Sequence, residues 1–146
     1  MIRDFNSAVN NQNQCFPNLF LTNLRSISNK IDELRCQILI LNPDVVVCTE
    51  TWLSSRIPTQ AVDIPGYMCF RTDRKNDSGR GGVGVWIKSR LRAKKLLLAP
   101  LNQAEACWVH LPSNNLIVLG LYLPPNMNVP DFNFISDQIV HAADNL

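Results

Sequence analysis

Two residues could do chemistry together: the amide of Asn23 and the carboxylate of Glu50. Asn23 closes a short apolar run, Phe16–Thr22, and Glu50 follows another, Val45–Cys48. The segment between them has helical periodicity. In a strand–helix–strand crossover the two strands run parallel, so their C-terminal ends lie on one edge. Ligands of such sheets bind beyond those ends. A carboxylate there suits a hard cation such as Mg²⁺, with Mn²⁺ as the alternative, because such ions take oxygen ligands and keep several waters. The amide beside it can bond a phosphate oxygen or steady the carboxylate. A Glu just past a buried strand is also an ordinary solvated loop residue, and spacing does not separate the two readings.

Other residues carry weaker signals. Tyr122 ends a further apolar run before Pro124-Pro125, as a reactive phenol or as a boundary aromatic with a wet hydroxyl. Arg80-Gly81-Gly82 would let backbone and guanidinium approach a phosphate, or is a plain turn. Glu105 opens a strand and reads as a surface charge, with a supporting acidic role as the alternative. His110 and His141 lack zinc spacing and read as structural. The sequence holds neither a Walker-type phosphate loop nor Gly-x-Ser-x-Gly.

The elements that must position these groups follow from the pattern. Phe16–Thr22 reads as a strand. Ile31, Leu34, Ile38 and Leu41 recur at helical spacing, with Ser28 or Asn29 as cap and Asn42-Pro43 as stop. Val45–Cys48 is a buried strand. Further strands are expected at 67–72, 83–87, 91–98, 106–111 and 116–123, with 83–87 and 91–98 forming a hairpin around Ser89 and the last pair joined by the turn 112–115. A second helix is expected over 132–143, with Phe134, Ile135, Ile139 and His141 inward. This order gives an α/β or α+β layered domain. Residues 1–15 read as a flexible leader and 16–146 as the domain.

Composition narrows the class. The chain has 146 residues, enough for one domain with a real core. Nine of its 14 Lys and Arg lie between Arg71 and Lys95, against only Asp73 and Asp77. Such a run is an electrostatic footprint for a polyanion, or a solvated face. The cysteines are odd in number, five, and contain no Cys-x-x-Cys, which reads as a reduced, intracellular protein, nuclear or cytoplasmic and not secreted. Neither a signal peptide nor a membrane-spanning run is visible.

The motifs resemble a known family. Asn23-Leu-Arg-Ser26 with Asn29-Lys-Ile-Asp-Glu-Leu34, and Pro43-Asp-Val-Val-Val-Cys-Thr-Glu50-Thr-Trp-Leu53, are similar to the opening and glutamate motifs of the endonuclease domain of non-LTR (LINE-type) retrotransposons. Pro65-Gly-Tyr67, Arg71-Thr-Asp-Arg74 and Arg80-Gly-Gly-Val83 follow in the expected order. Tyr122-Leu-Pro-Pro125 resembles the tyrosine motif, with Leu123 where Arg is usual. The resemblance runs from about Phe16 to Pro125. It implies the four-layer α/β sandwich of the endonuclease/exonuclease/phosphatase superfamily and a Mg²⁺-dependent cut of DNA. It also implies Glu50 as metal ligand, Asn23 at metal and phosphate, Tyr122 on the scissile phosphate, and Arg71, Arg74 and Arg80 towards the DNA backbone. A reverse transcriptase is expected downstream, with no membrane partner.

The departures bear on activity. The family continues to Gly-Asp-x-Asn and Ser-Asp-His motifs that this sequence lacks; Asp131-Phe-Asn133 imitates the first but follows Pro130 too soon after Tyr122. The expectation is therefore the N-terminal half of a domain truncated at its C-terminus, a partial sandwich lacking one layer and inactive alone. The alternatives are a remnant that at most binds nucleic acid, and a superfamily phosphatase or phospholipid phosphodiesterase.

Overall fold

The structure, a computed structural model, describes residues 16–75, 80–99, 101, 104–125, 127 and 129–144. The expected leader lies outside these residues. The chain forms β1 (Leu19–Asn23), α1 (Ile31–Leu41), β2 (Val45–Thr49), β3 (Tyr67–Thr72), β4 (Val83–Lys88), β5 (Lys94–Lys95), β6 (Glu105–Leu111), β7 (Leu116–Tyr122) and α2 (Val129–Asp144). Strands β1, β2, β4 and β3 make one sheet in that order, and β5, β6 and β7 make a second.

The crossover forms as the sequence requires. β1 and β2 run parallel in a register that pairs Asn23 with Thr49. Between them α1 buries Leu34 and Ile38, while Leu41 stays exposed. Neither Ser28 nor Asn29 caps this helix: Lys30 stands at its N-terminus without a side-chain cap bond. The Lys30 ammonium instead donates to the Leu24 carbonyl. Asn42 ends the helix in the left-handed conformation, its amide bonded to the Ile38 carbonyl at 2.8 Å.

Alternation along β2 and β4 sends side chains to two cores. Val46, Cys48 and Trp86 pack under α1 with Ile27, Leu53, Val62 and Ile64. The Trp86 indole is fully buried and donates to the Val62 carbonyl at 3.0 Å, so its polar atom costs nothing there. Burial pushes the Cys48 thiol far up, as expected of an inert buried cysteine. Val45, Val47, Val83, Val85 and Ile87 face Cys107, Val109 and Leu111 of the second sheet. On that sheet's outer side α2 packs through Ile135, near Ala106 and Leu121. The layers run helix, sheet, sheet, helix. The expected loss of a layer is therefore wrong; what is small is the width of the sheets, with four and three strands.

Two further expectations fail. There is no hairpin around Ser89. Ser89–Leu91 is a 3₁₀ turn whose exit, Arg92, is left-handed, and this turn redirects the chain from the first sheet to β5 in the second. In α2 the buried residues are Ile135 and Ala142, whereas Phe134 and Ile139 are 43% and 44% exposed and His141 is exposed. Among the described residues no helix is long and apolar enough to cross a membrane.

The edge of the first sheet where β1 and β2 begin is locked by Asp44. Its carboxylate accepts from the Asn18 amide at 3.1 Å and pairs with Lys88 and Arg90. Burial pushes its carboxyl up, but the Asn18 bond and the two cations outweigh this and hold it below the ordinary carboxylate range. A carboxyl lowered by folding stabilises above its unfolded value and loses that contribution as pH falls through the lowered one. Asp44→Ala is expected to cost about 1–3 kcal/mol at neutral pH. In urea melts the gap to wild type should shrink below about pH 4; a gap that persists at pH 2 contradicts this.

Candidate functional site

The opposite edge gathers the functional candidates. It holds the ends of β1, β2, β3 and β7 and the starts of β4 and β6. Beyond the strand ends the backbone ladder continues into loops. Leu24, Ser26 and Ile27 amides donate to Thr49, Glu50 and Thr51 carbonyls at 3.0, 2.9 and 3.0 Å. On the other side Thr51 and Trp52 amides donate to Gly82 and Gly81 carbonyls at 3.3 and 2.9 Å. Glu50 is thus clamped between two loops. The clamp forces left-handed backbone at Glu50 and Trp52, both with φ 55°. Each such non-glycine residue costs about 1–2 kcal/mol, which the surrounding bonds must offset.

This backbone aims the Glu50 carboxylate into a ring of donors. Its Oε2 accepts from the Trp52 indole N–H and, at 3.3 Å, from the Gly81 amide. The Tyr122 hydroxyl also donates to the carboxylate. Burial pushes the Glu50 carboxyl up; the bonds from Tyr122, Trp52 and Gly81 and the charge of Arg74 outweigh it, so it lies below the usual Glu value. The bond to Glu50, with burial and the charge of Glu50 behind it, raises the Tyr122 phenol in turn. At neutral pH the site therefore presents a carboxylate and a protonated phenol.

Behind this pair sits an ion pair. Arg74, just past β3, sends Nε to Glu105 Oε1 at 2.7 Å and a second nitrogen to Oε2 at 3.3 Å. Its guanidinium carbon stands 5.4 Å from the centre of the Tyr122 ring. Glu105 and Tyr122 are cross-strand partners in the β6–β7 register, so both face the gap between the sheets. Gly81 makes room: a Cβ on it would lie 2.7 Å from the Arg74 guanidinium carbon, and its φ is +74°.

The comparisons with known proteins bear on the fold and the relatives of the chain. No family model matches the chain. Over 107 residues, 72% of the chain, it is 33% identical to the RNA-directed DNA polymerase from mobile element jockey of Drosophila melanogaster, of which it spans 11%. The endonuclease domain of TRAS1, a telomere-specific non-LTR retrotransposon, superposes with TM-score 0.58 at 10% identity, over 84% of this chain and 53% of that one. The chain is similar to part of a mobile-element reverse transcriptase polypeptide and has the fold of a non-LTR retrotransposon endonuclease domain. The AP endonuclease LMAP from Leishmania major gives TM-score 0.59 at 14% identity, over 81% of this chain and 44% of that one. At such identities the structures speak for the fold, which is that of the endonuclease/exonuclease/phosphatase type. The chain spans about half the length of these structures.

The chain places its expected residues unevenly. Asn23, Glu50 and Tyr122 come to one edge, with Asn23 exposed at the end of β1 beside Thr49. The three arginines separate. Arg71 is turned inward, one terminal nitrogen reaching the Ser54 and Ile57 carbonyls and Asp73 at 2.9, 2.8 and 2.9 Å. It pins the loop after Glu50 and is not presented to solvent. Arg74 is engaged with Glu105. Arg80 is exposed next to Gly81.

The basic run also divides in space. The buried strand β4 separates Arg80 from Lys88 by about 20 Å or more along the chain. Lys88 and Arg90 lie at the far edge, both paired with Asp44. The charge count along the sequence therefore overstates the positive face near Glu50.

Sequence reading missed two parts of this site. Trp52 supplies a donor to Glu50 from its own turn. Glu105 is 7% exposed, not a surface charge. Its position was readable in principle: Glu105, Cys107, Val109 and Leu111 share one face of a strand, so the carboxylate is in phase with core residues.

Proposed function

We propose that the chain is part of a metal-dependent DNA endonuclease that nicks target DNA by phosphodiester hydrolysis, encoded ahead of a reverse transcriptase in a longer polypeptide. The observation that carries this is the Glu50 carboxylate, fixed at the sheet edge by the Trp52 indole and the Gly81 amide, at the edge where β1 ends in Asn23 and β7 in Tyr122.

The donors suit the cation this chemistry needs. Among the described residues no three His, Cys, Asp or Glu side chains converge. A single carboxylate with a nearby amide fits Mg²⁺ or Mn²⁺, which keep most of their water, and does not fit zinc, which wants a closed set of N and S ligands. Glu50 would hold the ion, and the bound ion would neutralise phosphate charge and polarise a water or the leaving oxygen. The chain's own groups do the rest. Trp52 and Gly81 fix the carboxylate by their hydrogen bonds. Tyr122 offers a neutral hydroxyl that can donate to a phosphate oxygen. Asn23 offers an amide to the same group, and Arg80 an exposed guanidinium to the backbone.

Conversion of supercoiled plasmid to open circle by the complete polypeptide in Mg²⁺ tests the reading. Tyr122→Phe, which keeps the ring under Arg74 and removes one donor, is expected to slow nicking about 10- to 100-fold in single turnover. DNA binding without nicking at any metal concentration would instead favour the binding-only alternative, and nicking unaffected by chelator would overturn the metal role.

A further inference from the structure

A guanidinium stands close to the carboxylate that is to take a cation. Arg74 is near enough for its charge to act on Glu50. It packs on Gly81, whose amide bonds Glu50, and over Tyr122, whose hydroxyl bonds Glu50. Forked arginine–carboxylate pairs are among the strongest side-chain contacts. Were Arg74 to pair with Glu50, it would cover the oxygens a metal needs.

The structure turns Arg74 the other way. Both contacts of its fork go to Glu105, at 2.7 and 3.3 Å. Among the described residues Glu105 forms its ion pair with Arg74, and it does so at 7% exposure on a strand face otherwise given to Cys107, Val109 and Leu111. A buried ion pair is a poor source of net stability, and apolar residues of similar volume often do as well. A carboxylate at this position calls for another explanation.

We propose that Glu105 is a positioning residue that holds Arg74 off Glu50, and so keeps the Glu50 carboxylate open to a divalent cation. The inference rests on the reading of Glu50 as a metal ligand. Glu105 acts through Arg74 and touches neither ion nor substrate. One guanidinium thus lies over the Tyr122 ring and against Gly81, and Glu105 directs its fork away from the Glu50 carboxylate.

Mn²⁺ affinity of the 146-residue chain, read from the electron paramagnetic resonance signal of free Mn²⁺, tests this without any need for turnover. Glu105→Gln removes the counter-charge and keeps the shape. It is expected to weaken Mn²⁺ binding about tenfold, because the freed Arg74 turns to Glu50. Arg74→Ala in the Glu105→Gln background should restore affinity to the wild-type level or above, and Arg74→Ala alone should not weaken it. If the pair only braces the fold, both single variants and the double variant lose affinity together, and the proposal is overturned. Should Glu105→Gln not fold, judged by circular dichroism, the Arg74→Met, Glu105→Leu double variant decides: retained Mn²⁺ binding supports the proposal and lost binding ends it. Glu50→Gln separates the two readings. If it binds Mn²⁺ as well as wild type, the metal site and this inference both fall. If it loses binding while Glu105→Gln does not, only this inference falls.

Discussion

Glu50→Gln is expected to lower Mg²⁺-dependent nicking by the complete polypeptide at least about 100-fold, a loss of roughly 2.7 kcal/mol of transition-state stabilisation. The amide keeps the size of the carboxylate and one oxygen to accept from Trp52 or Gly81, so the left-handed turn at Glu50 has no reason to collapse. What is removed is the negative charge. Tyr122→Phe leaves that charge in place, so its effect must be the smaller of the two. Equal nicking by wild type and Glu50→Gln would remove Glu50 from the mechanism.

The same variant has a thermal signature with a definite sign. Glu50 is held below the usual Glu value by its donors and by Arg74, against the opposing effect of burial. A carboxyl lowered by folding contributes stability that is present above its unfolded value, about 4.3, and is lost as pH falls through the lowered one. Wild type should therefore out-melt Glu50→Gln at pH 7, and the difference should close on acidification below about pH 4. A gap that widens with acid would mean that the donors do not favour the charged form. The acid limb of nicking should likewise not appear near pH 5 on account of Glu50.

The parts of this site that could be read from sequence are those fixed by local rules. A short apolar run, a helical repeat and a second apolar run leave one crossover geometry, and it brings Asn23 and Glu50 to one edge whatever follows. Tyr122 joined them only through the resemblance, because its strand belongs to the other sheet. Arg71 could not be placed from its own neighbourhood. It opens the basic run in sequence, yet its partners are the carbonyls of Ser54 and Ile57, which a loop of irregular structure brings back to β3. Glu105 and Arg74 are 31 positions apart and meet across the gap between the sheets, so no local pattern joins them. The 91–98 segment failed for a related reason. Its apolar character is real, but a left-handed Arg92 decides which sheet it enters. The inward side of α2 was misjudged because apolar residues ring that helix, and the packing of Ile135 on the second sheet alone selects the face.

The sheets approach closely at Gly120, and substitution there should damage the core. Gly120 pairs with Cys107 on the inner face of β7. A Cβ at this position would stand 2.6 Å from Val83 Cγ1, 2.8 Å from Val85 Cγ2 and 3.3 Å from Val47 Cγ1. Val83 and Val85 are fully buried β-branched residues of a central strand, so their methyls cannot rotate away without meeting other core atoms. Gly120→Ala is expected to cost about 1–3 kcal/mol by overpacking. Gly120→Val adds two more methyl groups to the same contact and should cost more than about 4 kcal/mol, comparable with the whole stability of a small domain. Urea denaturation followed by tryptophan fluorescence measures both; an unchanged midpoint for Gly120→Ala would show that the sheets can part freely. They cannot part without a consequence at the site. Tyr122 lies two residues along the same strand and reaches across the gap to Glu50, while Arg74 bridges it from the other side to Glu105. A folded Gly120→Ala chain should therefore bind Mn²⁺ less tightly than wild type although no group near the carboxylate has been altered. The close approach that Gly120 permits is what brings the Tyr122 hydroxyl within reach of Glu50.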